Sequence, residues 1–172
     1  MIGQSDMNLL SDFALGSITL QEFESTFSYG LSPESMFKLF RWVVLHKEEH
    51  LLFSITQYFF KTKFVDGVCC IYNDLLLQDW HKYHDTIAGI LQFDLRDCCS
   101  TMYFKESIAL KFSYLFESDD YEPYVTKCMW GIAKTDSDYS KEVLVNFTRS
   151  DDEIVKNAAI FQVERLGLAR YS

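Results

Sequence analysis

Two histidines three positions apart, His81 and His84, are the residues whose types and spacing most readily suggest chemistry. On a helix, this spacing can bring two imidazoles to one metal ion, and the neighbouring Asp85 could add a carboxylate. A hydrolytic site also needs a further ligand and an open coordination position, and no HExxH motif supplies them. We predict that this segment is structural or contacts a partner, and we keep a metal-dependent hydrolase as an alternative hypothesis.

The cysteines are the second group that could react. They form an odd set with two adjacent pairs, which matches neither a disulfide framework nor a CxxC metal knuckle: Cys69, Cys70, Cys98, Cys99 and Cys128. Nothing near Cys98 and Cys99 marks a low-pKa thiolate that His84 could activate. We expect reduced, mostly buried cysteines. Since the chain also lacks a Gly-rich phosphate loop and a GxSxG elbow, we predict no catalytic residues and no cofactor.

An acidic segment at residues 117–124 could bind a partner by charge. It contains four carboxylates within six positions, two tyrosines and no basic residue. Its carboxylates could pair with lysine or arginine of a basic partner, while the tyrosines supply rigid contact area. Asp119 and Glu122 also have the spacing of a capping box, so an exposed loop followed by an acidic first helical turn is the structural interpretation. The sequence leaves both interpretations open.

The composition bounds the classes of fold and partner. The 172 residues are 48% apolar and include only two prolines and seven glycines, which favours a helical domain over one with many tight turns. A formal net charge of −9 argues against binding to nucleic acid or anionic lipid and favours a basic protein partner. No apolar run is long enough to span a membrane, and the first residues do not resemble a secretory signal. We therefore expect a cytoplasmic protein.

Apolar residues recur at intervals of three and four along most of the chain, which predicts helices. Three helix starts carry capping signals: Thr19 with Glu22 three positions on, Ser32 followed by Pro33, and Ser150 with Glu153. Segments with helical periodicity are 6–15, 20–28, 33–46, 47–61 and 64–77, followed by several later stripes. No Ser/Gly-rich linker or change in composition marks a domain boundary, so we predict one domain over residues 1–172.

Two later segments repeat a pattern. Each places a glycine inside an apolar run, follows it with an acidic turn and continues into a second helix; Gly89 and Gly131 occupy equivalent positions, 42 residues apart. Helical hairpins of this kind cannot bury their apolar faces alone, so they stack on one another. Asp136, Asp138, Asp151 and Asp152 would then project from later turns on an edge similar to that of the acidic segment, although a role as a helix cap is the favoured interpretation for each of them alone.

Residues 64–168 resemble the HEAT-like repeats named after phycobilisome lyases, in which a helix rich in small residues leads through an acidic turn into a second helix. The segment from Leu75 to Ile87 carries the most specific resemblance, with its leucine run followed by Trp80-His81 and His84-Asp85. Cys98 stands where such turns commonly have proline. The resemblance implies an all-α helical-hairpin solenoid of about eight or nine helices, with N-terminal helices at 1–46 and HEAT-like hairpins at 47–172.

The chain is also similar to small bacterial immunity proteins of contact-dependent growth inhibition and related polymorphic toxin systems. This resemblance implies a protein that forms a 1:1 complex with a cognate toxin, expected to be a basic nuclease domain, and occludes its active site. The alternative is a HEAT-like scaffold or adaptor that inhibits no toxin. The predicted partner-binding residues are Trp80, His81, His84, Glu117, Asp119, Asp120, Tyr121 and Glu122.

Overall fold

The computed structural model describes residues 2–62, 67–93 and 100–168. These residues form eleven helices and no strand, so the all-α prediction is confirmed, whereas the predicted count of eight or nine helices is wrong. The helices are α1 (Gln4–Ala14), α2 (Leu20–Thr26), α3 (Pro33–His46), α4 (Glu49–Thr62), α5 (Cys69–Leu75), α6 (His84–Phe93), α7 (Ser100–Leu110), α8 (Ser113–Glu117), α9 (Tyr121–Thr135), α10 (Asp138–Phe147) and α11 (Glu153–Arg165). None of the described helices is long and apolar enough to cross a membrane.

The chain divides into two compact units, Met1–Val68 and Cys69–Ser172. In the first unit, α1 packs on α4 and α2, and α3 packs on α4. Its core is aromatic: the rings of Phe13 and Phe23 stack with centroids 4.9 Å apart, and Tyr58 packs edge-on against Phe13. Lys61 joins α4 to the C-terminal end of α1, because its Nζ donates to the carbonyl of Phe13 at 2.6 Å. The carbonyls at the C-terminal end of a helix have no partner within that helix.

Side chains cap the starts of α2 and α3 as the sequence predicts. Thr19 and Glu22 form a complete capping box at the start of α2. The hydroxyl of Ser32 accepts a hydrogen bond from the backbone of Ser35 at the start of α3, where Pro33 is the first helical residue. These bonds satisfy backbone donors that a helix end would otherwise leave without partners.

In the second unit, α9 packs on α6, α7, α8, α10 and α11 and is therefore the central helix. Its inward face is completely buried at Tyr124, Cys128 and Ile132. Gly131 lies on this face because α9 approaches α7 closely there: an added Cβ would lie 2.4 Å from the ring of the buried Phe104. The glycine that the sequence singles out is thus needed for helix packing.

Helices α6 and α9 run parallel in a fixed register. Lys127 of α9 forms an ion pair with Asp85 of α6 at 2.5 Å, and Lys134 donates to the Gln92 carbonyl at 2.9 Å. Both contacts join residues that are 42 positions apart, the same separation as the two glycines of the sequence pattern. Two contacts with one offset, two helical turns apart, require equivalent residues to lie side by side on parallel helices.

Candidate functional site

The acidic segment lies at the junction of α8 and α9. Glu117 is the last residue of α8, Asp119 has a left-handed backbone with φ of 59°, and Asp120 is the N-cap of α9. The four carboxylate residues of this segment are exposed: Glu117, Asp119, Asp120 and Glu122. No ion pair or side-chain hydrogen bond joins them to another residue in the described ranges. We call these four residues the acidic edge.

The capping box predicted from the spacing of Asp119 and Glu122 is wrong. The N-cap of α9 is Asp120, and its side chain makes no capping hydrogen bond. Asp119 instead provides the left-handed turn that reverses the chain between the two helices, a conformation that aspartate adopts more readily than most residues. The carboxylates therefore remain available to solvent or a partner.

Tyr121 anchors the acidic edge to the core. Its ring is buried and stacks on Phe116 with centroids 4.1 Å apart, and its hydroxyl donates to Oδ2 of Asp152 at 3.0 Å. Lys111 also pairs with this oxygen at 2.8 Å. Burial raises the pKa of Asp152, but hydrogen bonds from Lys111 and from the backbone of Val155 outweigh it and lower the pKa overall. The ionised Asp152 carboxylate thus links the start of α11 to Tyr121 of α9 and to Lys111, which follows α7.

The hydrogen bond between Tyr121 and Asp152 brings a second acidic turn, the one before α11, to the same end of the second unit. Tyr121 contacts Asp152, and Trp130 contacts Phe161, with the same separation of 31 residues, so α9 and α11 are parallel. The turn before α11, with the exposed Asp151, therefore lies near the acidic edge. Asp152 is the N-cap of α11 and accepts a hydrogen bond from the backbone of Ile154, as expected for an aspartate placed directly before a helix.

Two of the later aspartates lie elsewhere, which corrects the prediction of one shared edge. Asp136 and Asp138 follow the C-terminal end of α9, whose 15 residues span about 22 Å. Asp136 has a left-handed backbone and pairs with Lys141 at 2.8 Å, which lowers its pKa through a hydrogen bond and charge attraction. Only Asp151 and Asp152 lie at the end that carries the acidic edge.

His81 and His84 are buried and stack with ring centroids 4.4 Å apart. His81 Nε2 bonds the Leu75 carbonyl at 3.0 Å, and His84 Nε2 bonds the Gln78 carbonyl at 2.8 Å. A carbonyl only accepts, so each Nε2 carries the proton. His81 Nδ1 then accepts from a backbone N–H, and His84 Nδ1 accepts from the hydroxyl of Tyr114 at 2.7 Å.

This bonding occupies both nitrogens of each imidazole. Burial, with a smaller electrostatic contribution from the neighbouring His81, lowers the pKa of His84 to about 3, so the ring is neutral over the physiological range. Within the described ranges, no cluster of three or more His, Cys, Asp or Glu side chains is arranged to hold a metal ion. Asp85, the third member of the hydrolase hypothesis, pairs with Lys127. The geometry therefore gives the metal-dependent hydrolase no support.

The predicted partner-binding residues fall into two groups. The structure brings Trp80, His81 and His84 together, with Trp80 half-buried and edge-on to His81 at 5.0 Å. The second group is the acidic edge with Tyr121. His81, His84 and Tyr121 have buried side chains that position their neighbours. Among the predicted residues, Trp80 and the four exposed carboxylates are therefore the ones that a partner could reach.

The cysteines differ in their surroundings. Cys128 is buried, and burial raises the pKa of its thiol, which disfavours the nucleophilic thiolate. Cys69 is partly exposed and Cys70 is exposed. Cys98 and Cys99 lie outside the described residues.

Comparisons with known proteins add no relative. No protein-family model, no curated protein and no solved structure matches the chain at the significance required.

Proposed function

We propose that this chain is an immunity protein that binds a cognate bacterial toxin domain in a 1:1 complex and neutralises it. The single observation that carries the proposal is the acidic edge. It places four exposed carboxylates at the junction of α8 and α9 and leaves all four without intramolecular partners in the described part of the chain. An unpaired cluster of one charge attracts a surface of the opposite charge and accelerates its association.

Rigidity of the acidic edge supports this proposal. The stacked rings of Phe116 and Tyr121 and the hydrogen bond to Asp152 fix the turn at its base. A prearranged surface loses less conformational entropy when it binds, so more of its electrostatic attraction remains as affinity. A nuclease toxin fits this surface because its phosphate-binding groove is basic, and carboxylates held on a rigid turn can occupy that groove.

We also propose that the second unit is built from HEAT-like repeats. The parallel packing of α6 and α9, with contacts offset by 42 residues, supports this idea because HEAT repeats have periods of about 40–47 residues. The parallel packing of α9 and α11 extends the row to a third helix. In such a row the turns before successive helices share one end, which is where Asp120 and Asp151 lie.

A protection assay tests the proposed function. The partner is captured from the native host on the tagged chain, identified, and expressed in a sensitive strain with or without this protein. We expect the wild-type chain to restore growth, and the D120K/E122K variant to lose protection because it reverses two charges of the acidic edge. A captured protein that is not toxic, but binds through the same edge, would establish the alternative, a scaffold or adaptor.

The matched control is D138K/E142K. It changes the total charge by the same amount and, like the edge variant, reverses one acid in the first turn of a helix and one other exposed acid. We expect this control to protect as well as the wild type. Equal loss of protection in the two variants would show that total charge, and not the acidic edge, determines activity.

A further inference from the structure

A second surface of α9 and α11 combines aromatic rings with cations. The guanidinium of Arg165 lies over the ring of Trp130, 4.4 Å from its centroid, and the ring of Phe161 lies 6.1 Å from that of Trp130. Phe161 is 54% exposed and Trp130 is half-buried. We call Trp130, Phe161 and Arg165 the Arg165 cluster. Tryptophan and arginine are the residues that most often dominate binding energy at protein interfaces.

The guanidinium of this cluster is held in place but not neutralised. Its Nε donates to Oε1 of Gln162 at 2.8 Å, and Gln162 is itself buried. Among the residues that the structure describes, no carboxylate forms an ion pair with Arg165. Stacking on Trp130 and the bond at Nε thus fix the plane of the group and leave its terminal nitrogens for another acceptor. A fixed guanidinium with two such nitrogens matches the two oxygens of a carboxylate.

The surface continues onto α6 through a second cation and ring. Lys134 follows Trp130 by one helical turn, and its Nζ lies 4.8 Å from the ring centroid of Phe93. Phe93 is 62% exposed. Rings and cations therefore alternate across three adjacent helices, at the opposite end of α9 from Tyr121.

We propose that the surface around the Arg165 cluster docks a protein segment in which carboxylates alternate with apolar side chains. Charge complementarity selects this occupant: carboxylates match Arg165 and Lys134, and apolar side chains match the exposed rings. The net charge of −9 does not prevent such binding, because at physiological salt charges farther away than about 8 Å are largely screened. This proposal is independent of the acidic edge and of the proposed function.

The position of the two cations also has a structural explanation, since Lys134 and Arg165 lie in the last turns of their helices, where positive charge is favourable. That explanation does not account for three rings, two of them more than half exposed, beside the cations. Rings and cations together also suit single-stranded nucleic acid. Binding to nucleic acid rests on many contacts to phosphates, and within the described residues this surface offers only the two cations Arg165 and Lys134, so it fits a short peptide better. Competition between the peptide and oligothymidine separates the two ligands.

Fluorescence anisotropy of a labelled synthetic peptide, in which glutamates alternate with leucines and phenylalanines, tests the proposal on the full-length protein. We expect the wild-type chain to bind this peptide, R165E to lose at least tenfold in affinity, and R165K to lose less. The matched control R149E makes the same charge change at an exposed arginine beyond the end of α10 and should bind like the wild type. The variant W130F keeps an aromatic ring beneath the guanidinium and W130A removes it, so we expect W130F to retain more affinity for the peptide than W130A.

Three outcomes would overturn the proposal: no binding of the acidic peptide, equal loss in R165E and R149E, or preferential binding of oligothymidine or of a lysine-containing version of the peptide. The NMR resonance of the Arg165 side-chain Nε–H provides a second measurement on the wild-type protein, which guards against misfolded variants. It should shift on addition of the acidic peptide and remain unchanged on addition of a glutamate–serine peptide.

Discussion

Replacement of Gly131 by alanine should destabilise the second unit, although alanine is normally the better helix former. The added methyl group would lie 2.4 Å and 2.6 Å from two ring atoms of Phe104. An ordinary contact requires more than 3.4 Å, so the ring or the helix must move by about 1 Å. Phe104 is 1% exposed and cannot swing into solvent.

The expected magnitude follows from two opposing effects. Overpacking of a buried site costs up to about 3 kcal/mol, and replacing glycine by alanine inside a helix contributes about 1 kcal/mol of stability. The net result is a loss of about 2 kcal/mol in the free energy of unfolding. Urea denaturation, followed by tryptophan fluorescence in a Trp42→Phe background, measures this value because the remaining tryptophans, Trp80 and Trp130, both lie in the second unit.

Gly89 provides the matched control, since it is the glycine 42 positions earlier on α6 and its added Cβ would meet only Lys127 Cδ, at 3.9 Å. We expect Gly89→Ala to raise the free energy of unfolding by up to about 1 kcal/mol. Truncation of the ring by Phe104→Leu should recover part of the loss in the Gly131→Ala background. Similar effects of alanine at the two glycines would refute the reasoning from close packing.

Three further predictions concern other parts of the chain. The pKa of His84 is about 3 in the folded chain and 6.5 in the unfolded chain, so the unfolded chain binds a proton first and stability falls as the pH drops below 6.5. Between pH 8 and pH 5, the free energy of unfolding should therefore fall by about 2 kcal/mol more in the wild type than in His84→Gln. Loss of the capping box in Thr19→Ala should cost about 1 kcal/mol in urea denaturation. Loss of the Tyr121 hydrogen bond to Asp152 in Tyr121→Phe should cost about 1 kcal/mol and accelerate hydrogen exchange near residue 120.

Each of these predictions can fail in a distinct way. Identical pH dependence in wild type and His84→Gln would mean that the imidazole is not buried in its neutral form. A Thr19→Ala variant as stable as the wild type would show that the capping box is replaced by water without loss. Unchanged hydrogen exchange in Tyr121→Phe would show that the acidic edge is held by the stacked rings alone.

Local signals in the sequence predict much of the fold because helix periods and caps depend on neighbouring residues. The box of Thr19 and Glu22 is observed as predicted. The predicted cap at Ser150 is wrong: Asp152 caps α11, and Ser150 instead accepts a hydrogen bond from the Asp152 backbone. Both side chains could cap a helix, and only the tertiary contacts of Asp152 with Tyr121 and Lys111 decide between them.

The candidate site was less predictable for the same physical reason. Exposure of Asp119 and Asp120 follows from their charge, but burial of His81 and His84 depends on carbonyls six positions earlier and on the distant Tyr114. No local sequence pattern predicts that these carbonyls and the Tyr114 hydroxyl will bond the two imidazoles. The short α8, which carries Tyr114, was missed because five residues are too few to show a helical period. The single-domain interpretation stays a prediction beside the two compact units that the structure shows.

Titration of the captured partner with the wild-type chain and with D120K/E122K, at low and at high salt, tests the role of the acidic edge most directly. If the exposed carboxylates bind a basic surface, the wild-type dissociation constant rises steeply with salt, and the variant binds at least tenfold more weakly with a flatter dependence. Equal affinities and equal salt dependence in the two proteins would contradict the account, because the two reversed charges of the acidic edge would then contribute nothing to recognition.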